Sequence, residues 1–278
     1  MRERFFDVDG LRLHVADFGG PDAAMPTLLL HGGMAHAGWW DPLATRLAER
    51  LHPFGLDRRG HGRSDWAELA KYGWETDLRD AERIAGELDP RPWLVVGHSQ
   101  GGLIAVHLAV RAKMSIAAMV ILDAPLHPGA QSLRRAGDSF RRMPQIRYPS
   151  LEHALKRFQP YPAEHYVPPE ILQRIAEQSF KPDDEGGFVS RFHWKRFQAD
   201  SRAESPLRDF GGDVRRVPVP TLVVRGSEST ILSAEEHADF VAWLPHGRGA
   251  VIPGATHSLH VERPDEVAAA IFEFTATL

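Results

Sequence analysis

The stretch Val95–Gly102, VVGHSQGG, constrains the fold most strongly, because it puts one serine among small residues directly after an apolar run. Gly97 and Gly101 flank Ser99 in a G-x-S-x-G pattern, with a strand pattern before it and a helical pattern after it. Reversing the chain sharply from strand to helix forces the serine into a strained conformation, in which side chains two positions away would clash. The pattern therefore predicts a turn that lifts the Ser99 hydroxyl above the edge of a sheet.

This turn has two other interpretations. A glycine-rich packing turn would have the same sequence and no chemistry. A phosphate-binding loop fits less well, because no Gly-Lys-Ser/Thr element follows. The strand–turn–helix context favours a functional turn, which also aims the N–H of Gln100 at the reaction centre of Ser99.

Short apolar runs alternate with helical patterns along most of the chain, which predicts βαβ units on a largely parallel sheet. The run before Ser99 is continuously apolar, as expected for a strand with helices on both faces. The predicted strands are Arg12–Phe18, Thr27–Gly33, His52–Asp57, Pro92–Ser99, Met119–Asp123, Val219–Gly226 and Ala250–Pro253. The predicted helices are Trp39–Arg50, Trp74–Leu88, Gly101–Arg111, Ala234–Leu244 and a last helix from Pro264.

The alternation stops over residues 126–210, where Pro, Arg, His and aromatic residues are frequent and no strand-like run occurs. Helical patches such as Pro169–Phe180 lie between proline-rich joints, and the segment is too long for a plain loop. The sequence therefore predicts an α/β core of residues 1–125 and 211–278, with a helical insertion over residues 126–210.

Charge and composition exclude several classes of function. The 278 residues carry a net charge of −4 with no long run of like charge, so no nucleic-acid partner and no polybasic membrane anchor are expected. The chain has no cysteine, which excludes disulfides, thiol nucleophiles and zinc–thiolate sites. No stretch approaches about 18 apolar residues, and the N-terminus lacks the apolar segment of a signal peptide. We therefore expect a cytoplasmic protein that does not bind a membrane.

Among 15 histidines, His257 is the best placed general base. It follows the last predicted strand and precedes the last predicted helix, at the C-terminal edge of the sheet where Ser99 is expected. A histidine there can take the serine proton and return it to the leaving group at neutral pH. His260 and His98 compete with it, although His260 is expected to begin the next helix and His98 to turn under the serine.

A tetrahedral intermediate on Ser99 needs a second N–H donor beside that of Gln100. The predicted strand Thr27–Gly33 ends in glycines whose backbone suits this role. Gly33 can offer an N–H close to Ser99, and each such donor is typically worth about 3–4 kcal/mol of transition-state stabilisation. Met34 is an alternative donor, and a glycine turn before a helix is the purely structural interpretation.

Together these features resemble the serine α/β-hydrolase superfamily, in the subgroup that has a helical cap between strands six and seven of a mostly parallel, eight-stranded sheet. The resemblance spans nearly the whole chain, since LLLHGG, LDRRGHGRSD, VVGHSQGG, VILDAP, PTLVVRG and PGATHSLHVERPDEV occur in family order. It implies that Ser99 is the nucleophile and His257 the base. It also implies that Gly33 and Gln100 form the oxyanion hole.

The acid partner of the histidine is not where the family usually has it. A carboxylate fixes the tautomer of the base, and its loss can cost about 10⁴ in turnover. Most family members carry an aspartate shortly after strand seven, where this chain has Ser229 or Thr230, and neither can carry the charge. The LDRRGHGRSD loop is structural in the family, so Asp57 and His61 are not candidates.

Two carboxylates are available as replacements. Asp123 ends the sixth strand, where one subgroup of haloalkane dehalogenases and the lactonases that open zearalenone resemble this arrangement in placing their acid. Glu228 lies nearer the usual loop but out of register. We favour Asp123, although many relatives with the usual acid also have an aspartate here in a structural role. A Ser-His dyad and an impaired enzyme are the remaining alternatives.

The segment Gly187–Gln198 mixes four aromatic with three cationic side chains. One interpretation is a site for an aromatic or anionic substrate. The other, which we favour, is an amphipathic helix that packs its aromatics on the core and extends its cations to solvent. Trp39 and Trp40 are likewise expected to brace a helix rather than to stack on a ligand.

The sequence thus predicts a monomeric or dimeric hydrolase that cleaves a small-molecule carboxylic ester or lactone through an acyl-enzyme, without cofactor or metal. Epoxide hydrolase and dehalogenase chemistry is disfavoured, because those relatives have an aspartate nucleophile at the position of Ser99. Carbon–carbon bond hydrolysis and cofactor-free perhydrolysis also use a serine and stay open. A catalytically reduced ligand sensor is the non-enzyme alternative, because Ser229 and Thr230 replace the usual acid.

Overall fold

The structure is a computed structural model that describes residues 1–125, 144–160, 162, 167–196 and 210–278. The strands are β1 (Arg2–Val8), β2 (Leu11–Asp17), β3 (Met25–Leu30), β4 (Leu51–Leu56), β5 (Trp93–His98), β6 (Ile116–Leu122), β7 (Arg147–Tyr148), β8 (Phe180–Pro182), β9 (Phe188–Ser190), β10 (Thr221–Gly226) and β11 (Gly247–Ile252). Eight of them form one sheet in the order β1-β2-β4-β3-β5-β6-β10-β11. In this order every neighbouring pair from β4 to β11 is parallel, whereas β2 runs antiparallel to both of its neighbours, β1 and β4. The predicted α/β-hydrolase sheet is confirmed.

The helices are α1 (Asp41–Leu47), α2 (Trp74–Leu88), α3 (Gln100–Arg111), α4 (Leu151–Arg157), α5 (Pro169–Gln178), α6 (Phe210–Val214), α7 (Ala234–Trp243), α8 (Leu259–Glu262) and α9 (Pro264–Thr275), with short 3₁₀ helices at Ala37–Trp40 and Leu69–Lys71. Helices cover both faces of the sheet. Leu28 and Leu30 of β3 lie in the core that includes α2 and α3, whereas Leu29 lies in the core that includes α1 and α9. Full burial of each leucine stabilises the fold by about 1.5–3 kcal/mol.

The predicted elements of the core are present, with shifted ends. The helix α2 begins and ends at the predicted residues, but the strand predicted over Thr27–Gly33 is Met25–Leu30 because its glycines leave the sheet. The helix predicted from Trp39 begins at Asp41 after a 3₁₀ turn, and Pro42 fits its first turn. The sequence predicts no strand at β1, whose side chains are mostly exposed and give a weak apolar signal.

The described part of the insertion contains strands as well as helices. The helices α4 and α5 lie there as expected, but β7, β9 and β8 form a three-stranded antiparallel sheet, so the wholly helical prediction is wrong. The amphipathic helix predicted over Gly187–Gln198 is also wrong, since this segment contains β9. Strands of two or three residues are too short to show an alternating pattern. Phe197 and Gln198 lie outside the described residues.

No helix in the described ranges of the chain has both the length and the apolar character that crossing a membrane requires.

The turn between β5 and α3 has no room for a side chain at Gly97 or Gly101, the positions two residues before and after Ser99. A Cβ on Gly101 would lie 1.9 Å from the carbonyl oxygen of Leu30. A Cβ on Gly97 would lie 2.4 Å from the carbonyl oxygen of Gly101. Both neighbours are backbone atoms that cannot swing away, so the two positions accept only glycine without displacement of the sheet.

We predict that Gly101→Ala lowers the free energy of unfolding by about 3 kcal/mol, because the methyl group forces α3 away from β3. Gly86→Ala is the matched control, since Gly86 lies on the exposed face of α2 with no atom within 4 Å of an added Cβ. That control should gain about 0.5–1 kcal/mol. Urea unfolding at pH 7 measures both changes, and an unchanged Gly101→Ala protein would contradict the packing described.

Candidate active site

Ser99 occupies the strained position that the sequence predicts. Its φ of 51° and ψ of −119° lie in a region that L-residues rarely adopt. The turn is held because the Ser99 N–H donates to the carbonyl of Leu122 at 2.9 Å, and the Ser99 carbonyl accepts from Gly102 N–H at 2.9 Å. This anchoring leaves the partly exposed side chain at the carboxyl edge of the sheet, in the wall of a cavity.

His257 lies on the loop between β11 and α8, at the same edge. The carboxylate of Glu262 accepts hydrogen bonds from the N–H and the hydroxyl of Thr256, each at 2.6 Å. A Cβ on Gly226 would lie 2.2 Å from the Thr256 carbonyl oxygen, so the end of β10 packs directly against this loop. These contacts fix the backbone next to His257 and so restrict the position of its imidazole.

Asp123 is the carboxylate that contacts His257. Nδ1 of His257 lies 2.9 Å from Oδ1 of Asp123, and the aspartate is fully buried. The Ser229 hydroxyl donates to the same Oδ1 at 2.6 Å, and the Gly226 N–H donates to Oδ2 at 3.1 Å. Because the carboxylate accepts from Nδ1, the Nε2 atom is left as the basic nitrogen of a neutral imidazole.

Glu228 has a different environment. Its side chain is exposed, and its backbone N–H donates to the Ala255 carbonyl at 2.9 Å. Thr230 is exposed as well, whereas Ser229 is buried against Asp123. Ser229 is thus a hydrogen-bond partner of Asp123, a role that the sequence analysis does not predict. The signal for it is the pairing of an aspartate after β6 with a hydroxyl where the aspartate of the family usually lies.

The two competing histidines pack beneath His257. Nε2 of His98 lies 3.0 Å from the His257 carbonyl oxygen, and the His98 ring centroid is 4.3 Å from that of His260. Burial, followed by the neighbouring imidazoles, lowers the pKa of His98 well below its ordinary value. Burial, with His257 beside it, lowers the pKa of His260 to about 3. Both are therefore weak bases at neutral pH.

The two predicted oxyanion donors both lie close to the serine in the fold. Gln100 is the first residue of α3, and Gly33 follows β3 and lines the same cavity as Ser99. A Cβ on Gly32 would lie 3.2 Å from the Ser99 Cβ, so the glycine loop passes directly beside the serine. Met34, with φ of 60°, also lines the cavity and remains the alternative donor.

The cavity has a volume of about 390 Å³, and Ser99 and His257 both line it. Within the described part of the chain, no hydrogen bond joins the Ser99 hydroxyl to His257. The insertion contributes aromatic walls from Tyr148, Phe158, Phe180 and Trp194. Catalytic hydrogen bonds are often long before a substrate binds.

Two expectations about aromatic and cationic residues need correction. Trp40 and Trp39 are both buried as expected, although Trp39 also lines the cavity. Trp194 also lines the cavity, whereas Phe192 packs against His61. Arg196 does not extend to solvent, because it is buried in an ion pair with Asp77. The partner of Arg196 lies far away in sequence, so helical periodicity had no means of finding it.

Asp57 and His61 lie outside the cavity walls and organise backbone. Oδ1 of Asp57 accepts from the Ala37 N–H at 2.6 Å, and Oδ2 accepts from the Arg63 N–H at 2.8 Å and lies 2.7 Å from Nδ1 of His14. Burial raises the pKa of Asp57, but hydrogen bonding and attraction to His14 outweigh it and lower the pKa to about 2.

A mostly parallel, eight-stranded sheet with a strained serine between a strand and a helix defines an α/β-hydrolase fold. A family model described as the alpha/beta hydrolase family matches residues 27–270. The chain therefore belongs to the alpha/beta hydrolase family.

Similar proteins include Esterase Rv0045c of Mycobacterium tuberculosis, 26% identical over 250 residues that cover 87% of this chain and 80% of the esterase. The 2-(acetamidomethylene)succinate hydrolase of Mesorhizobium japonicum is 27% identical over 281 residues that cover 98% of this chain and 94% of the relative. The solved thioesterase domain from the curacin biosynthetic pathway has a TM-score of 0.83 at 21% identity, over 98% of this chain and 99% of that one, and shows the fold alone. The curated relatives support hydrolysis as the class of reaction.

The hydrogen bonds of Asp57 predict a pH-dependent contribution to stability. Its folded pKa of about 2 lies below the ordinary 3.8, so the contribution is complete above about pH 4 and is lost as the pH falls towards 2. Asp57→Asn should lower the free energy of unfolding by about 2 kcal/mol at pH 7, and this deficit should shrink below pH 4. Asp65→Asn, at an exposed position of the same loop, is the control and should change little. Urea unfolding from pH 7 to pH 3 tests this, and a deficit independent of pH would contradict it.

Proposed function

We propose that this protein hydrolyses carboxylic esters or lactones through an acyl-enzyme formed on Ser99. His257 acts as the general base, and Asp123 holds its tautomer and stabilises the imidazolium. The N–H groups of Gly33 and Gln100 stabilise the oxyanion. The proposal includes a hydrogen bond from the Ser99 hydroxyl to Nε2 of His257, which forms as the substrate fills the cavity.

The bond between Asp123 and His257 is the observation that carries the proposal. A fully buried carboxylate on Nδ1 makes Nε2 the proton acceptor, and this is the arrangement a serine nucleophile needs. The absence of an acid at Ser229 or Thr230 was the main argument for a catalytically reduced ligand sensor. A carboxylate supplied from the end of β6 removes that argument, because it reaches the same nitrogen.

The reaction proceeds in two halves. The Ser99 oxygen attacks the carbonyl carbon and gives its proton to Nε2 of His257, while the carbonyl electrons move to the oxygen held by the two N–H groups. The carbon–oxygen bond then breaks, and the leaving alcohol takes the proton from His257. Water repeats both steps on the acyl-enzyme and releases the acid. A lactone gives a single hydroxy acid, because its acyl and alcohol parts are joined.

The insertion is proposed to act as a cap that selects the substrate. It supplies aromatic side chains to the cavity that Ser99 also lines, among them Tyr148, Phe180 and Trp194. A cavity of about 390 Å³ lies within the range that binds small molecules. These walls favour a small ester or lactone with an aromatic or other apolar body.

We predict that a fluorophosphonate probe forms one covalent adduct with the folded protein and none with Ser99→Ala. The phosphonate reacts with an activated serine because it resembles the tetrahedral intermediate. Ser190→Ala is the matched control, since Ser190 lines the same cavity and should not affect labelling. Intact-mass spectrometry measures the adduct. Failure of the folded wild-type protein to label, or labelling that survives in Ser99→Ala, would refute the acyl-enzyme.

Asp123→Asn should lower kcat for p-nitrophenyl butyrate by about 10³–10⁴-fold, because the amide stabilises the wrong tautomer and cannot balance the imidazolium charge. Glu228→Gln is the control and should change kcat by less than about threefold, since its side chain is exposed. Both variants keep the shape of the side chain, and urea unfolding confirms that they fold. The opposite ranking of the two variants would make Glu228 the acid.

A further inference from the structure

The carbonyl oxygen of Gly32 accepts hydrogen bonds from two side chains, those of Arg58 and His31. Nη2 of Arg58 donates to this oxygen at 3.1 Å, and Nδ1 of His31 lies 2.8 Å from it. Nε2 of His31 accepts from the Arg58 N–H at 3.2 Å, which leaves the ring proton on Nδ1 and makes that atom a donor to Gly32.

The Gly32 carbonyl belongs to the same peptide plane as the N–H of Gly33. In a trans peptide the C=O and the N–H point in opposite directions. Donors that fix the oxygen on one side therefore fix the direction of the Gly33 N–H on the other side, where Gly33 lines the cavity with Ser99. A cation on the oxygen also polarises the peptide and strengthens its N–H as a donor.

The same guanidinium reaches the other oxyanion residue. Nη2 of Arg58 donates to Oε1 of Gln100 at 2.9 Å. A Cβ on Gly33 would lie 3.6 Å from that Oε1, so the Gln100 side chain lies along the glycine loop. Arg58 thus joins the loop after β3 to the first residue of α3.

Arg58 is itself held in place by charge. It is 2% exposed, and its Nη1 lies 3.3 Å from Oδ2 of Asp77 on α2. The same Oδ2 pairs with Arg196 of the insertion, whose Nη1 donates to the Arg59 carbonyl at 3.1 Å. A buried carboxylate shared between two guanidinium groups leaves little freedom for either, so the position of Arg58 is over-determined.

We propose that Arg58 is a positioning residue that aims and polarises the Gly33 N–H and sets its spacing from Gln100. The inference rests on the proposed function, because those two groups matter only if an oxyanion forms at Ser99. Arg58 does not contact the substrate, and it acts through the peptide and the amide that it holds.

Arg58→Met tests this role, with Arg58→Lys as the conservative variant. Asp77 keeps Arg196 as its partner in both, so no carboxylate is left buried without a cation. We expect kcat for p-nitrophenyl butyrate to fall by about tenfold or more in Arg58→Met, with KM changed by less than about threefold, because the donor acts on the transition state. Arg58→Lys keeps the positive charge but not the two nitrogens of the guanidinium group that bond several partners at once. It should therefore have a kcat between those of the wild type and Arg58→Met.

Binding of an aryl trifluoromethyl ketone supplies the readout that a purely structural role would not change. This inhibitor forms a tetrahedral oxyanion adduct with serine, so its affinity should fall in parallel with kcat. Arg59→Lys is the matched control: Arg59 is equally buried and pairs with Asp80 on the same helix, and it donates to neither Gly32 nor Gln100 in the described structure. That control should lose stability without a parallel loss of inhibitor affinity.

Unchanged kcat and inhibitor affinity in Arg58→Met and Arg58→Lys would overturn the inference, as would the same losses in Arg59→Lys. These outcomes differ from failure of the proposed function. A folded wild-type protein that neither labels nor turns over refutes the acyl-enzyme, whereas a labelled, active wild type with unaffected Arg58 variants refutes only the positioning role.

Discussion

The close approach of α3 to the end of β3 is the constraint on which the site depends. The Leu30 carbonyl leaves no space for a side chain at Gly101, so the two backbones touch. This contact brings the strained Ser99 beside the Gly32–Gly33 loop, with Gln100 following it as the first residue of α3. The positions of the proposed nucleophile and of both proposed donors are thus set by backbone packing. Side chains such as Arg58 then adjust their direction.

The contact between Asp123 and His257 shows that a carboxylate can reach this histidine from a strand other than the one the family usually uses. Adjacent parallel strands end at one edge, and β6 pairs directly with β10. A carboxylate after either strand can therefore approach the His257 loop. Here Asp123 follows β6, and Ser229 after β10 donates its hydroxyl to that carboxylate. The Ser229 hydroxyl lies where relatives usually have the aspartate. Here it donates a hydrogen bond to the carboxylate of Asp123, which follows the neighbouring strand.

Local patterns were sufficient for much of the fold and for part of the site. The strand–turn–helix context located Ser99, and the order of the last elements located His257. The choice between Asp123 and Glu228 depended on which side chain is buried at the β6–β10 junction, and this is a tertiary property. The strands β7, β8 and β9 were too short for periodicity to detect. The burial of Arg196 against Asp77 was hidden because charge alone predicts exposure.

A crystal structure of the fluorophosphonate adduct tests the central claim most directly. The account predicts phosphorus bonded to Oγ of Ser99, with one phosphoryl oxygen about 2.7–3.1 Å from the backbone nitrogens of both Gly33 and Gln100. It also predicts that Nε2 of His257 faces the adduct while Nδ1 keeps its bond to Asp123. An adduct on another residue, or a phosphoryl oxygen pointing away from both nitrogens, would contradict it.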